Sequence, residues 1–141
     1  MIEATKVLVP VNGDEADEEA IKLACSVVKK KGTLYIIYVI EVKRTLPLDA
    51  EMRPEIQRGE EVLESAERIA EEGDCEVETD LLQAREVGPA IIDEAMERGV
   101  DLIIIGITYK RRFGEFSLGE CTPYVLKNAP CRVWVCREPI A

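Results

Sequence analysis

The sequence contains no histidine, and its cysteines show no CxxC spacing. Imidazole and closely spaced thiolates are the usual side-chain ligands of zinc and copper, so metal binding by side chains alone is disfavoured. The lack of histidine also removes the commonest general base and any Ser/His/Asp arrangement. No carboxylate pair is brought together by spacing either. The sequence therefore indicates no catalytic set.

Two common nucleotide-binding signatures are missing as well. No GxxxxGK followed by Ser or Thr occurs, and no GxGxxG follows the first predicted strand. The first motif cradles phosphates in a P-loop, and the second holds a dinucleotide pyrophosphate. A phosphorylation receiver would need paired acids after the first strand and a lysine after the last, where this chain has "VNG" and "VCRE". These three classes are excluded.

Basic residues are few. Lysine and arginine total 18 against 28 acidic residues, which gives a net charge of −10 and a field that repels DNA, RNA and anionic membranes. No apolar run approaches the ~20 residues of a membrane helix. The start "MIEATKVLVPV" lacks the basic stretch and cleavage site of a signal peptide. We expect a cytoplasmic protein that binds no nucleic acid and does not insert into a membrane.

The cysteines are odd in number: Cys25, Cys75, Cys121, Cys131 and Cys136. We interpret them as free cysteines, which usually behave as small buried hydrophobes. Free cysteines are typical of proteins in a reducing compartment.

The order of elements predicts an α/β fold. The predicted strands are Lys6 to Val11, Thr33 to Val42, Cys75 to Leu82 (an edge, or a strand with one exposed face), Asp101 to Gly106 and Cys131 to Cys136. Helical patterns lie between them; "KKKG" is expected to close the first helix with cations and a terminal glycine. This predicts one domain, residues 1–141, with four helices around a doubly wound, Rossmann-like sheet of five parallel strands. In such sheets ligands bind at the carboxyl ends of the strands.

Two loops at that edge carry candidate residues. After the first strand, Asn12 is suited either to a ribose hydroxyl or, like Asp14, to capping the first helix. After the fourth strand, Gly106 and Gly119 allow close backbone approach ahead of the last helix, whose N-terminus offers N–H groups to an anion. Thr122 is the predicted cap of that helix, with Pro123 in its first turn.

The loop between these glycines contains Lys110, Arg111 and Arg112, which either fold over bound phosphates or remain solvated. Phe113 and Phe116 are interpreted as loop anchors in the core, with stacking on a base as the alternative.

Taken together, the whole chain resembles a universal stress protein, a family of adenine-nucleotide-binding α/β domains. The family motif Gly-x2-Gly-x9-Gly-Ser/Thr corresponds to Gly106, Tyr109, Gly119 and Glu120, so two of its four positions match. "VLVPVNG" resembles the family's "ILVPVDG", with Asn12 in place of aspartate. "YVLKNAPCRVWV" resembles its ending "LLRHAPCPVLVV".

The resemblance implies an adenine against Pro10 and Val39, a ribose near Asn12 and Gly106, and phosphates over Gly119 to Thr122. The implied nucleotide-binding residues are Pro10, Val11, Asn12, Val39, Gly106, Tyr109, Gly119, Glu120, Cys121 and Thr122. The ligand would be ATP or AMP, with Mg²⁺ only if ATP is bound. Tyr109 adds a ring where backbone should approach a phosphate, and Glu120 adds a repelling carboxylate. The adenosine half is thus better preserved than the phosphate half.

Two functions follow from the resemblance. One is an adenine-nucleotide sensor, with at most weak ATP hydrolysis; the other is an interaction module of the same fold that binds no nucleotide and acts through its dimer surface. The family pairing implies a homodimer through Val133, Trp134 and Val135 of the last strand. An ordinary core strand is the alternative.

Overall fold

The computed structural model describes residues 4–108, 111–112, 115–116 and 121–137. Strands and helices alternate along these ranges. The strands are β1 (Ala4–Val11), β2 (Val28–Glu41), β3 (Val77–Ala84), β4 (Leu102–Ile107), β5 (Arg111–Arg112), β6 (Glu115–Phe116) and β7 (Arg132–Arg137). The helices are α1 (Ala16–Val27), α2 (Arg53–Glu72), α3 (Val87–Arg98) and α4 (Cys121–Asn128).

Five of the strands form one parallel sheet in the order β3-β2-β1-β4-β7. The chain moves from β1 outward through β2 to β3 and then returns to β4 on the other side of β1. The strand order therefore reverses between β1 and β4, and this switch point is where open α/β sheets bind ligands. The predicted fold class is confirmed, and β3 lies at a sheet edge.

The core has two layers because each face of the sheet is covered by a pair of helices. One layer, the α1/α2-side core, includes Val7, Val9, Ile36, Ile104 and Leu63. The other, the α3/α4-side core, includes Leu8, Ile37, Ile103, Ile91 and Val125. Successive residues of a strand point alternately into these two layers. Residues two positions apart in a strand therefore pack against the same pair of helices.

The end of α1 differs from the prediction. The helix stops at Val27, and Val28, with an extended backbone, already begins β2, so Lys29 to Lys31 are strand residues and the last turn has no cation. Val28 pairs with Ala4 across an irregularity in the β1–β2 ladder. A Cβ at Gly32 would lie 2.4 Å from the carbonyl oxygen of Thr5, so this glycine serves close strand packing and not a helix terminus.

The remaining differences are local. The strands β5 and β6 pair antiparallel, with Arg111 opposite Phe116, a hairpin that the sequence did not predict. The helix α4 begins at Cys121, so Thr122 lies inside its first turn and is not the residue before it. The strand β3 starts at Val77 because Cys75 still donates its backbone N–H to the Ala70 carbonyl of α2, at 3.1 Å.

Candidate functional site at the carboxyl edge of the sheet

The apolar part of the predicted site forms around the ends of β1 and β2. Pro10 lies opposite Ile37 in the parallel ladder, and Val39 is the next residue of β2 on the same face. Both side chains are half-buried, whereas the preceding core positions are fully buried. Val39 packs against the α3/α4-side core, as do Ile107 at the end of β4 and Cys121 at the start of α4. The structure therefore presents Pro10 and Val39 together, while Val11 faces the other core layer and is buried.

The β1–α1 loop is folded by its own side chains. The Oδ1 atom of Asn12 accepts the backbone N–H of Asp14 at 3.1 Å, and Oδ1 of Asp14 accepts that of Ala16 at 3.0 Å. Gly13 between them has a φ of +93°, a value that favours glycine. Asn12 thus stabilises the turn before α1, and Asp14 bonds the first N–H group of the helix, although the residue at the N-cap position, Glu15, makes no side-chain cap bond. The side chain of Asn12 remains exposed toward solvent.

Asp17 was not identified from the sequence, although it fixes this loop. Its two carboxylate oxygens accept the backbone N–H groups of Asn12 at 3.3 Å and of Gly13 at 2.7 Å. Burial raises its pKa to about 6, against the opposing effect of the two hydrogen bonds, and the nearby Asp14 raises it further. Only the crowding of acids ahead of the helical pattern hinted at this role.

The N-terminus of α1 is a poor anion site. Asp14 accepts the N–H of Ala16 through its side chain and that of Asp17 through its carbonyl oxygen, at 3.2 Å. Asp17, Glu18 and Glu19 occupy the first turn. Carboxylates there repel phosphate, and two of the helix's unpaired donors are already used. A phosphate would have to bind elsewhere along the edge.

Gly106 lies beneath α1. A Cβ at this position would lie 2.4 Å from the carbonyl oxygen of Ala16 and 2.8 Å from its carbonyl carbon. Close backbone approach was expected here, but the described approach is to the first residue of a helix. Gly106 pairs with Cys136 in β7 and is half-buried. Its role toward a ribose remains a prediction.

The phosphate side of the predicted site is described only at its ends. Thr122, in the first turn of α4, is buried, and Cys121 is half-buried with its thiol pKa raised by burial. Tyr109, Gly119 and Glu120 lie outside the described residues, as do Lys110 and Phe113. For Arg111, Arg112 and Phe116 only the backbone pairing is described. The structure thus brings the strand ends that carry Pro10, Val39 and Gly106 to one edge, with Pro10 and Val39 on the α3/α4 side and Gly106 on the α1 side, and leaves the phosphate contacts as predictions.

The long β2–α2 loop is fastened to this edge by Gln83, near the end of β3, and by Arg85 of the β3–α3 connection. Arg85 donates to the carbonyl oxygens of Lys43 at 2.6 Å and Leu46 at 2.9 Å. Gln83 donates to those of Leu48 at 2.9 Å and Ala50 at 3.0 Å. A cleft of about 480 Å³ lies beside these contacts, and Leu82 and Pro89 are among its lining residues. Neither anchor was identified from sequence, because the pairing depends on the fold.

Metal and membrane candidates are also absent from the described parts of the chain. Within them, no group of three or more histidine, cysteine or acidic side chains could hold a metal ion. The helices described here are too short or too polar to cross a bilayer.

Doubly wound α/β domains bind their ligands at the carboxyl ends of the strands, at the switch point. Residues 3–137 match the universal stress protein family. A universal stress protein of Methanocaldococcus jannaschii is 30% identical over 141 residues, which cover 95% of this chain and 82% of that protein. The chain belongs to the universal stress protein family.

Two solved structures show the same fold. The universal stress protein of Archaeoglobus fulgidus in complex with dAMP has a TM-score of 0.72 at 22% identity, covering 96% of this chain and 98% of that one. A family member from Arabidopsis thaliana with AMP bound has a TM-score of 0.69 at 19% identity, covering 96% and 92%.

Proposed function

We propose that this protein is a cytoplasmic regulatory protein that binds an adenine nucleotide at the carboxyl edge of its sheet, AMP in preference to ATP. The observation that supports this most is the set of apolar side chains at the strand ends beside the switch point, where Pro10, Val39 and Ile107 are only half-buried. On β1 and β4 the preceding core residues are buried, whereas on β2 Tyr35 and Tyr38 are half-buried as well. The adenine nucleotides bound by the Archaeoglobus and Arabidopsis proteins are consistent with this ligand class.

The proposed contacts divide along the ligand. The adenine ring packs on Pro10 and Val39, and the ribose lies between Asn12 and Gly106. The Oδ1 atom of Asn12 is occupied by Asp14, so its amide would donate to a ribose oxygen. The phosphate lies toward Gly119 to Thr122, away from the acidic start of α1. Mg²⁺ is required only if ATP is the ligand. We assign no catalytic residue, so hydrolysis of ATP is at most weak.

The test begins with freshly purified protein, which is denatured so that released small molecules can be separated and identified. The stripped protein is then titrated with AMP and with ATP by calorimetry. Release of an adenine nucleotide, or binding of AMP in the micromolar range, supports the proposal. No released nucleotide and no binding at millimolar ligand would refute it.

A matched pair of variants locates the site. Val39→Ser places a hydroxyl in the proposed adenine recess, whereas Val27→Ser makes the same change in a half-buried valine of α1, at the opposite end of the sheet. Each loses comparable apolar contact, so their stabilities should fall similarly. Only Val39→Ser should weaken AMP binding, by about tenfold.

A second function, an interaction module acting through a homodimer, is favoured by a separate observation. The strand β7 is the outer strand of the sheet, and its inner residues Val133, Trp134 and Val135 are all half-buried. On α4, the helix leading into β7, Tyr124 and Leu126 are 39% and 48% exposed. Apolar edges of this kind are usually covered. Sedimentation of the stripped protein at ~100 µM should show a dimer, and a monomer at that concentration would argue against this function.

A further inference from the structure

Two of the five cysteines lie side by side, although fifty positions of sequence separate them. Cys25 is in the last turns of α1, and Cys75 follows α2 just before β3. The thiol of Cys75 is near enough to raise the pKa of Cys25. The Sγ atom of Cys25 is also 3.9 Å from the carbonyl oxygen of Ala70, which accepts the backbone N–H of Cys75 at 3.1 Å. Both cysteines therefore converge on one carbonyl group at the end of α2.

The turn that carries Cys75 is held in place by its backbone. Gly73 donates to the Ala70 carbonyl and Asp74 to that of Glu71, each at 3.0 Å. Asp74 has a φ of +56°, in the left-handed region, and this conformation directs the chain back toward α1. A Cβ at Gly73 would lie 3.1 Å from Cβ of Cys25, so α1 packs directly on this turn. The approach of the two thiols is thus set by fixed elements.

Both thiols are half-buried, while Gly73 and Asp74 beside them are exposed. A small oxidant can therefore reach the pair from solvent. The other three cysteines are also half-buried, and burial raises the pKa of each thiol without a contribution from another thiol. Cys25 and Cys75 differ from these three because each lies beside another thiol.

We propose that Cys25 and Cys75 form a site of reversible oxidative modification, in which a peroxide-class oxidant converts the thiol pair into an intramolecular disulfide. One thiolate attacks a peroxide oxygen and the O–O bond breaks. The attacking sulfur becomes a sulfenic acid, and the other peroxide oxygen departs as water. The second thiol attacks the sulfenic sulfur, the S–O bond breaks, and a second water leaves. Two electrons and both thiol protons pass to the peroxide, and a dithiol reductant reverses the change.

The reaction should be slow near neutral pH because the thiolate is the attacking species. Burial raises the pKa of Cys25 to about 12, to which the nearby thiol of Cys75 contributes, and burial also raises the pKa of Cys75. Only sustained exposure to oxidant would therefore close the bond. Once closed, it ties α1 to the start of β3 and constrains the unfolded chain between them, so the oxidised form should be more stable.

The site is independent of the proposed nucleotide pocket. Leu34 and Val77, near the thiols, pair at the amino ends of β2 and β3, whereas the pocket lies at the carboxyl edge. Failure of nucleotide binding would therefore leave this inference untouched, and the reverse also holds.

The test uses the folded full chain at pH 8, treated with millimolar hydrogen peroxide for several hours and then alkylated under denaturing conditions. We expect a crosslinked peptide pair that contains Cys25 and Cys75, with a mass loss of about 2 Da that dithiothreitol reverses. The oxidised protein should melt about 10 °C higher than the reduced protein.

Cysteine variants supply the controls. Cys131→Ser, a change at a half-buried cysteine outside this pair, should leave both the crosslink and the melting shift intact. Cys75→Ser should abolish both. The inference fails if Cys25 and Cys75 are both alkylated after the treatment, if the recovered disulfides join other cysteines or two chains, or if the bond forms only in denaturant.

Discussion

The peptide carbonyl of Ala16, the first residue of α1, faces Gly106 of β4 so closely that a Cβ on Gly106 would lie 2.4 Å from its oxygen. Real Cβ atoms do not approach a backbone oxygen to that distance. The side-chain hydrogen of Gly106 thus sets how near α1 comes to the sheet, and with it the position of the β1–α1 loop. One glycine couples helix packing to the wall of the proposed pocket.

Gly106→Ala should therefore push α1 outward and lower the free energy of unfolding by about 2 to 3 kcal/mol. It should also weaken AMP binding, because the loop that carries Asn12 moves with the helix. Urea titration and calorimetry measure the two effects.

Gly99→Ala is the matched control for this change. Gly99 has a φ of +64°, and a Cβ at this position would have no atom within 4 Å, so alanine there is strained but meets nothing. Its cost should be about 1 kcal/mol, with AMP binding unchanged. A smaller loss of stability in Gly106→Ala than in Gly99→Ala would contradict the packing role of Gly106.

The raised pKa of Asp17 predicts a pH dependence of the protein's stability. Its pKa of about 6 in the folded protein lies above the ordinary value of 3.8, because burial disfavours the carboxylate. The folded state then binds the proton more tightly than the unfolded state does. Its contribution to stability is full below about pH 4 and is lost as the pH rises through 6.

Removing the carboxyl group should remove this dependence. The stability of the native sequence relative to Asp17→Asn should fall between about pH 4 and pH 7 in urea titrations. A gain in the stability of the native sequence over Asp17→Asn across that range would contradict this prediction. It would show that the hydrogen bonds from the N–H groups of Asn12 and Gly13 lower the pKa of Asp17 more than burial raises it.

Arg98 joins three elements. Its Nε atom contacts Glu94 at 2.7 Å, Nη2 contacts Asp80 of β3 at 2.9 Å, and the guanidinium lies 4.9 Å from the ring centroid of Tyr35 in β2. With 23% of its side chain exposed, it is partly shielded from water. Arg98→Ala leaves two carboxylates without their partner and should cost about 1 to 2 kcal/mol.

An exposed ion pair gives the comparison. Arg53 contacts Glu51 at 2.9 Å, but the two side chains are 82% and 69% exposed. Arg53→Ala should change stability by no more than about 0.5 kcal/mol. Equal effects of the two substitutions in urea titration would show that the position of Arg98 adds nothing to its ion pairs.

The general plan of the fold follows from sequence, because apolar strands and amphipathic helices alternate and only a few topologies satisfy that order. The predictions that proved wrong concern local features, such as the end of α1. The "KKKG" segment has a helix-ending composition, yet Val27 and Val28 favour extended backbone and the pairing of Val28 with Ala4 outweighs the cations.

The site was predictable in part for the same reason. The strand ends that carry Pro10, Val39 and Gly106 meet at one edge in any doubly wound sheet. Asp17 and Arg85 could not be assigned, because their partners are backbone groups brought near only by the folded loops. For Gly106, the sequence indicated close approach but could not say to what.

The hydrogen bonds of Arg85 predict how readily the β2–α2 loop is cleaved by a protease. Its bonds to the carbonyls of Lys43 and Leu46 hold a loop whose residues 43–49 are exposed. Arg85→Met should free this loop and raise the rate of tryptic cleavage after Lys43 and Arg44 by about tenfold, with little change in global stability. Arg44→Met, which leaves the anchor intact, should not accelerate cleavage after Lys43. An unchanged cleavage rate in Arg85→Met would mean that the loop is held by other contacts.

The proposed preference for AMP over ATP rests on the two positions that depart from the family motif. Tyr109→Gly with Glu120→Ser restores the motif, removing a side chain where a phosphate should meet backbone and a carboxylate that repels it. The double variant should bind ATP about tenfold more tightly and AMP with little change, since AMP places fewer charges in that region. Calorimetric titration of both ligands measures the ratio. Because Glu120→Gln removes the charge without restoring the hydroxyl, it separates repulsion from a missing contact; equal gains for AMP and ATP would show that these residues do not face the outer phosphates.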